Sequence, residues 1–598
     1  MMNDDSGQKT LYLRILRSSP QEAVYRARRA LTARAVKLAA AGGMTVPRIP
    51  PVDMARVRQL ETPRFDIRPE SGLIAQILNG KRFLLQEDGA ESAADPRMLW
   101  EPARLQHLTY LLACASERPD DAPALRQAAV SMALQWLDGN PFPRGPHYAS
   151  PMECGLRIPV FFYCLKVMDD PRPEAARALA GAIYRHAWWV EKRLSLYSSL
   201  GNHTICECVG LLFAGAVFRN TGAGRRWLSR GVEILKREVR HQVLDDGGPA
   251  EQSLAYHRFV LDLYRLAADF MERNGIEGSA ALKPGLLSGE RFLAAFEDRA
   301  GNLPDIGDSD DGHAVAPGVR PKKEKAVEKD PGEYRHFPDA GYTVIHTDAG
   351  LRFTFDHGPL GMPPLFNHGH ADALSVTLSV CGRDILVDPG TYRYNGAPKW
   401  RSYFKSTRAH STVTIDGADQ AVQETGFIWS NPYECEPAAC GTIEDGFLME
   451  SVHTGYRRLN PPVAHRRSIL FSNRSTFTIR DTFEGEGAHD FELNFHFHPD
   501  VKLVRQGRGW SAENAGSRIF MGLTGEDEFH EVRGLESPLL GWFSPAYGAR
   551  AASSVLTCRK KGHPCAVNFL TVISLTLPTI EHVHSGKAGE LWKTGSRF

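Results

Sequence analysis

The apolar pattern of this 598-residue chain changes period once, near Phe337, and that switch governs what it can fold into. Across residues 62–299, apolar side chains recur three and four positions apart, as in Leu105-Leu108-Leu111-Leu112 and Ile183-Ala187-Val190. That spacing puts them on one face of a helix. Breakers such as Pro141-Phe142-Pro143, Gly181, Asn220-Thr221-Gly222 and the Asp-Asp-Gly-Gly-Pro run ending at Pro249 divide the stretch into helix-length pieces. After Phe337 the apolar residues alternate, in 342–346, 351–355, 412–416, 468–471, 476–479 and 491–497. Alternation is the signature of half-buried strands.

Helices first and strands second imply separate domains rather than an interleaved α/β sheet. The expected fold is therefore multidomain α + β. Four segments follow: a basic helical extension (1–60), a helical domain (61–314), a charged linker or loop (315–335) and an antiparallel β-sandwich (336–598). The helical part is compatible with a bundle, a solenoid or a toroid of helical hairpins, and it shows no fixed repeat period. At this length, about two to four domains are expected.

A net charge of +1 with 24% charged and 42% hydrophobic residues describes an ordinary soluble globular chain. The near-neutral balance argues against nucleic acid as a partner. No apolar run reaches the roughly 20 residues of a transmembrane span. The ten cysteines form no CxxC pair and no disulfide framework, so reduced thiols are expected. Residues 11–41 are basic and amphipathic, with Arg14, Arg17, Arg26, Arg28, Arg29, Arg34 and Lys37. Their longest apolar run, 38–41, is too short for a signal-peptide core, which reads as cytoplasmic or as export by a route not visible in the sequence. The stretch packs as a helical preface or contacts a membrane surface or an assembly protein.

Three patches interrupt the helical pattern. Glu153 and Arg157 lie four apart on one helical face, the spacing of an ordinary ion pair. Asn202 and His203 precede a strongly apolar helix, where an Asn is also a favoured cap. Tyr256 and His257 are expected about two turns into the helix after Gly247-Gly248-Pro249. A pocket lined by Asn, His, Tyr and Arg suits abstraction of the weakly acidic proton α to a uronate carboxylate. Donors that bind the carboxylate stabilise the charge that develops there, and a Tyr or His acts as base or acid.

In the strand half, Asn367-His368-Gly369-His370-Ala371-Asp372 is followed by Asp388-Pro389-Gly390 and Arg408-Ala409-His410. His370, Asp388 and His410 thus fall at strand edges in consecutive segments, and imidazole with carboxylate suits zinc.

Together these motifs resemble the heparinase II/III and alginate lyase group of polysaccharide lyases. The pieces that carry the likeness are Asn202-His203, Gly-Gly-x-x-Glu-Gln-Ser-x-x-Tyr-His ending at His257, Pro304-Asp305-Ile306-Gly307-Asp308-Ser309-Asp310, and the ordered set from Asn367 to Val413. The likeness covers about residues 100–580. It implies an incomplete (α/α) toroid followed by antiparallel sheets, with the active cleft between them, and β-elimination of uronate-containing glycans. Carried onto this sequence, Asn202 neutralises the carboxylate with His203 beside it, Tyr256 serves as base or acid, and His368 is a second acid/base or carboxylate partner. Which of Tyr256, His257 and His368 removes the proton stays open. Glu153, Arg157, His257, Tyr394 and Arg408 are candidate substrate contacts. His370, Asp388 and His410 match the positions of a structural zinc. The basic N-terminal extension lies outside the family core and resembles members associated with surface-polysaccharide assembly, so a bacterial surface polysaccharide or exopolysaccharide is the expected substrate. Two other readings compete: a glycoside hydrolase with Glu153, Glu251 or Asp308 as paired acids, and a non-catalytic glycan-binding or assembly protein.

Overall fold

The computed structural model describes residues 19–42, 46–67, 69–80, 95–168, 173–197, 200–298, 301–323, 334–436, 439–444 and 446–576. Residues 11–18 of the basic stretch, Ser198 and Ser199, positions 324–333 of the expected linker, and everything from 577 onward lie outside the described residues. Contacts divide the chain into two compact units. The first comprises Met1–Val243, Tyr256–Glu290 and Gly312–Val327, and the second Leu244–Ala255, Arg291–Asp311 and Glu328–Phe598. The division is therefore not a single cut near 314. The Gly-Gly-Pro turn and the acidic turn around Asp308 group with the sheets.

The first unit is helical: α1 (Pro20–Ala41), α2 (Met54–Gln59), α3 (Ser71–Leu78), α4 (Pro96–Trp100), α5 (Gln106–Glu117), α6 (Ala122–Gly139), α7 (Pro151–Lys166), α8 (Pro173–Arg193), α9 (Asn202–Val217), α10 (Gly222–Gln242) and most of α11 (Leu254–Arg273). Successive helices form hairpins, and the arrangement is an incomplete toroid. Helices α7 and α9 are almost wholly buried, and the charged side chains Glu153, Arg157 and Glu207 are buried with the apolar ones. The turn into α10 is tight. Thr221 caps the helix by accepting from the Gly224 N–H at 3.0 Å, and a Cβ on Gly224 would meet the Phe218 carbonyl at 2.0 Å. Part of the expected linker is ordered, since Val319–Pro321 pairs antiparallel with Phe65–Ile67.

The second unit is built of antiparallel sheets. A five-stranded sheet runs Tyr334–Phe337, Tyr342–His346, Leu351–Asp356, Val376–Val380, Arg383–Leu386 in spatial order. Against its apolar face lies an eight-stranded sheet that includes Gly446–His453, Val463–Ser472, Thr476–Gly485 and Asn568–Ser574. Alternate residues fill the space between them: Phe353, Phe355, Val376 and Leu378 from one sheet, Ile469, Phe471, Phe477 and Ile479 from the other. The Phe353 and Phe477 rings stack with centroids 4.1 Å apart. This is the sandwich that the period-two pattern implies. A four-stranded sheet, including His489–His496 and Ser554–Gly562, extends the same core through Leu493, Phe495 and Leu556.

Gly155 of α7 and Gly210 of α9 meet backbone to backbone. A Cβ on Gly210 would lie 2.7 Å from the Gly155 carbonyl oxygen and 2.8 Å from its Cα. That contact fixes the spacing of the two helices carrying Glu153 and Asn202. Gly210→Ala is expected to destabilise the protein by about 1–3 kcal/mol through overpacking. Gly139→Ala, whose Cβ would meet nothing within 4 Å, is the control and should leave the thermal midpoint near wild type.

Candidate functional site

In the first unit, the Glu153–Arg157 pair read from the sequence does not form. Arg104 takes Glu153 instead, in a two-pronged pair of 2.8 and 2.9 Å. Burial works to raise the Glu153 pKa, but Arg104 overrides it and holds the carboxyl below its ordinary value. Arg157 is fully buried, donating to His186 Nε2 at 3.2 Å and to the carbonyls of Ala103 and His147, with its guanidinium 5.1 Å from the Trp136 ring. Both side chains instead take partners from other segments of the protein. The reason is competition: an i, i+4 pair is worth only a few tenths of a kcal/mol, and buried partners from other segments outbid it.

Asn202 opens α9 as its first helical residue, and Gly201, at φ 125°, occupies the cap position. Asn202 is buried, while His203 is half-buried and near enough to influence the Glu153 carboxylate. The segment leading to Asn202 is held from three sides. Fully buried Glu207, five residues further along α9, accepts the Ser195 N–H and hydroxyl, both at 2.7 Å. Thr204 donates to the Ser195 carbonyl, and Tyr25 of α1 donates to the Leu194 carbonyl at 2.7 Å. Burial pushes the Glu207 pKa up to about 7. Tyr256 and His257 sit in the first turn of α11, nearer its start than the sequence implied, with Tyr256 half-buried and His257 buried.

In the second unit the chemistry gathers around Asp308, which the sequence reading quoted in the acidic turn of the resemblance and weighed as a hydrolase acid. Its carboxylate is fully buried and gripped by both terminal nitrogens of Arg401, at 2.5 and 2.9 Å. An ionised carboxylate only accepts. The two imidazoles at Asp308 are therefore donors: His368 through Nδ1 at 3.0 Å and His370 through Nε2 at 3.1 Å. Burial alone would raise the Asp308 pKa. The Arg401 charge and the two imidazole hydrogen bonds drive it well below the carboxylate range instead. With both carboxyl groups held as anions by arginines, neither Glu153 nor Asp308 is available as a proton-donating acid, which removes two of the three carboxylates of the hydrolase reading.

Burial works against a charged His368, yet the Asp308 hydrogen bond and the carboxylates of Glu251, at 4.0 Å, and Asp310 raise its pKa. The imidazole is thus biased towards its cationic form. Gly369, between the two histidines, is there for space: a Cβ would lie 1.5 Å from the Leu360 carbonyl oxygen. Only glycine allows that approach, and it sets both imidazoles on one carboxylate.

His370, Asp372, Asp388 and His410 form a buried cluster whose ligand atoms all lie within 4.8 Å of one another. Asp372 was missing from the sequence-derived set, although it stands in the same motif, two residues after His370. With Nε2–H given to Asp308, the His370 Nδ1 lone pair is left over, and it has no hydrogen-bond partner among the described residues. His410 Nε2 likewise has no hydrogen-bond partner among the described residues, while His410 Nδ1 and Asp388 Oδ1 face each other at 3.0 Å without the geometry of a hydrogen bond. Burial lowers the His370 pKa to about 4 and that of His410 as well, and it lifts Asp372 to about 6 and Asp388 to about 7. Neutral imidazoles and carboxyls starved of counter-charge are a donor set that a divalent cation satisfies. The Asp308–His370 hydrogen bond is the outer-shell support that metal-ligating histidines usually have.

Tyr394 donates to Asp310 Oδ2 at 3.1 Å and lies under the Arg401 guanidinium. Arg408 is half-buried and pairs with Glu492 at 2.6 Å within the sheets. The sequence reading passed over Arg393. Arg393 is fully buried, and all three of its guanidinium nitrogens are without a hydrogen-bond partner among the described residues. The Tyr392 ring, 5.6 Å from the guanidinium, offers it a cation–π contact. The sequence signal was slight: an arginine five residues after Asp388.

Residues 329–573 match the family described as heparinase II/III-like, C-terminal, and residues 126–281 match the heparinase II/III N-terminus. A heparin-sulfate lyase of Pedobacter heparinus is 25% identical over 335 residues, 52% of this chain and 48% of that protein. One from Bacteroides stercoris is 25% identical over 419 residues, 64% of this chain and 58% of that protein. The chain thus spans about half the length of these curated relatives. The crystal structure of heparinase III shares the fold, with a TM-score of 0.67 at 16% identity over 87% of this chain and 88% of that one.

The Asp308 hub generates a direct expectation. Titrated by NMR, His368 should show a pKa above the ordinary histidine value, and Asp308→Asn should bring it down. Because the folded pKa is raised, the stabilisation from protonated His368 is present at acid pH and fades as pH rises through that pKa. An unchanged His368 pKa in a folded Asp308→Asn protein refutes the coupling.

Proposed function

The chain belongs to the heparinase II/III-like family, and on that premise we propose that it is a polysaccharide lyase cleaving uronate-containing glycans by β-elimination. The observation that carries the reading is His368, an imidazole biased towards its cationic form by a buried carboxylate that is itself locked by Arg401. In β-elimination the proton at C5 leaves, charge develops on the adjacent carboxylate, and the glycosidic oxygen departs with a proton. Charge-stabilising donors are the main requirement of such a step. Asn202 and the guanidinium of Arg393 supply donors for the carboxylate, with His203 beside Asn202. Tyr256 moves the proton as base or acid, and cationic His368 serves as proton donor or carboxylate partner. Binding without turnover has no need of a tuned imidazole, which disfavours the non-catalytic reading. The substrate we favour is a bacterial surface polysaccharide or exopolysaccharide. The basic N-terminal helix is this chain's remaining contact surface, for a membrane or an assembly protein.

We assign zinc to His370, Asp372, Asp388 and His410. Bound there, the ion would supply a fixed point that ties the Asn367–His410 stretch together, in a structural role. The His370–Asp308 hydrogen bond would then transmit that order to His368.

Incubation with alginate, heparan sulfate and uronate-rich bacterial exopolysaccharides should yield an unsaturated product absorbing in the ultraviolet from at least one of them. Tyr256→Phe and His368→Ala should each lower turnover by about 10²–10⁴-fold while leaving the protein folded. Absence of product from every uronate glycan by the folded wild type would sink the lyase reading.

Elemental analysis should find about one zinc per chain, lost in Asp388→Ala together with a lower thermal midpoint, since metal binding is coupled to folding. Far less than half an equivalent in metal-replete protein removes zinc from the assignment.

A further inference from the structure

Helix α1 (Pro20–Ala41) has an inner and an outer face with different chemistry. On the inner face Tyr25 donates to the Leu194 carbonyl and its ring lies 5.4 Å from that of Tyr197, while Val36 is buried. Arg144 of the same unit donates to the Ala40 carbonyl. The helix is therefore docked through that side. On the outer face Val24, Leu31 and Leu38 are 69, 65 and 73% exposed. They stand seven residues apart, about two turns each, so they form one line along the helix, with exposed Ala27 and Ala35 filling the gaps. A line of exposed large aliphatic side chains is the kind of surface that marks an interaction site rather than a solvated face.

The flanks of that line decide what it meets. Arg28, Arg34 and Lys37 are exposed and make no hydrogen bond or ion pair among the described residues. The helix carries five cations, Arg26, Arg28, Arg29, Arg34 and Lys37, against one acid, Glu22, and that acid pairs with Arg26. Two copies of this face set against each other would bring like charges together, which disfavours self-association. An apolar line bordered by unpaired cations is instead complementary to a surface that is apolar inside and anionic outside. We propose that the outer face of α1 docks the protein in the plane of an anionic lipid bilayer, with Val24, Leu31 and Leu38 entering the acyl boundary and Arg28, Arg34 and Lys37 meeting the headgroups. Among the described residues no helix is long and apolar enough to cross a membrane, and docking of this kind requires none. The proposal rests on α1 being a contact surface, and it stands or falls independently of the lyase chemistry.

The test is sedimentation of the full-length protein with vesicles of phosphatidylcholine containing phosphatidylglycerol, and with vesicles of phosphatidylcholine alone. The wild type should bind the anionic vesicles, less so as salt is raised, and bind neutral ones at least about tenfold more weakly. Leu31→Gln/Leu38→Gln and Arg34→Gln/Lys37→Gln should each weaken binding by about tenfold or more. Because these side chains are exposed, both variants should keep the wild-type thermal midpoint and wild-type turnover of any soluble glycan that the enzyme cleaves. Failure to bind anionic vesicles, equal binding to neutral ones, or binding unchanged in both variants overturns the proposal. So does a dimer in solution that both double substitutions dissociate, which would assign the face to a second copy. Loss of vesicle binding with turnover intact separates this inference from the lyase reading, which the glycan assay judges on its own.

Discussion

One buried carboxylate organises the second unit. Asp308 reaches its position in a turn that also receives the backbone of His368, and there it holds Arg401, His368 and His370 at once. Removing one member of a fully buried ionic network leaves the others uncompensated, at a cost of about 3–5 kcal/mol. The carboxylate therefore acts as a joint with two outputs. Through Nδ1 it biases His368 towards the cation; through Nε2 it orients His370 so that the opposite nitrogen points into the His/Asp cluster.

The surrounding architecture makes that joint possible. Antiparallel strands deliver the loop containing Asn367–Asp372, the loop after Arg383–Leu386 and the turn before Val413–Ile415 to one place. Gly369 lets the first loop pass against the Leu360 carbonyl, and Gly390, at φ 77°, lets the second turn beneath Ser544. In the first unit a comparable economy operates with fewer charges. The Gly155–Gly210 contact brings α7 and α9 together, and Glu207 anchors the segment that introduces Asn202.

Much of this was legible in order of residues alone. The change of period at Phe337 separated helices from strands because burial of one face imposes a different repeat on each. The Asn367–His410 stretch contained three members of the cluster because its ligands lie close in sequence. Asp372 escaped notice because a carboxylate at a turn ordinarily caps it. Arg401 and Asp308 are 93 residues apart, and Asp308 and His368 are 60 apart; no local spacing announces such a pairing. The Glu153–Arg157 reading failed for the same reason in reverse, since Arg104, distant in sequence, was the better partner.

What the sequence by itself determined is the order of helical and sheet-forming segments and the motif residues Asn202, Tyr256, His368, His370, Asp388 and His410. These depend on periodicity and on chemistry carried by short stretches. What only the tertiary structure decided is the state of those groups: which nitrogen of His370 faces the His/Asp cluster, that His368 is biased towards a charge, and that Arg157 and Arg408 take partners within the protein. Protonation and pairing are set by desolvation and by neighbours brought together from distant segments, and those terms come into being only when the chain closes on itself.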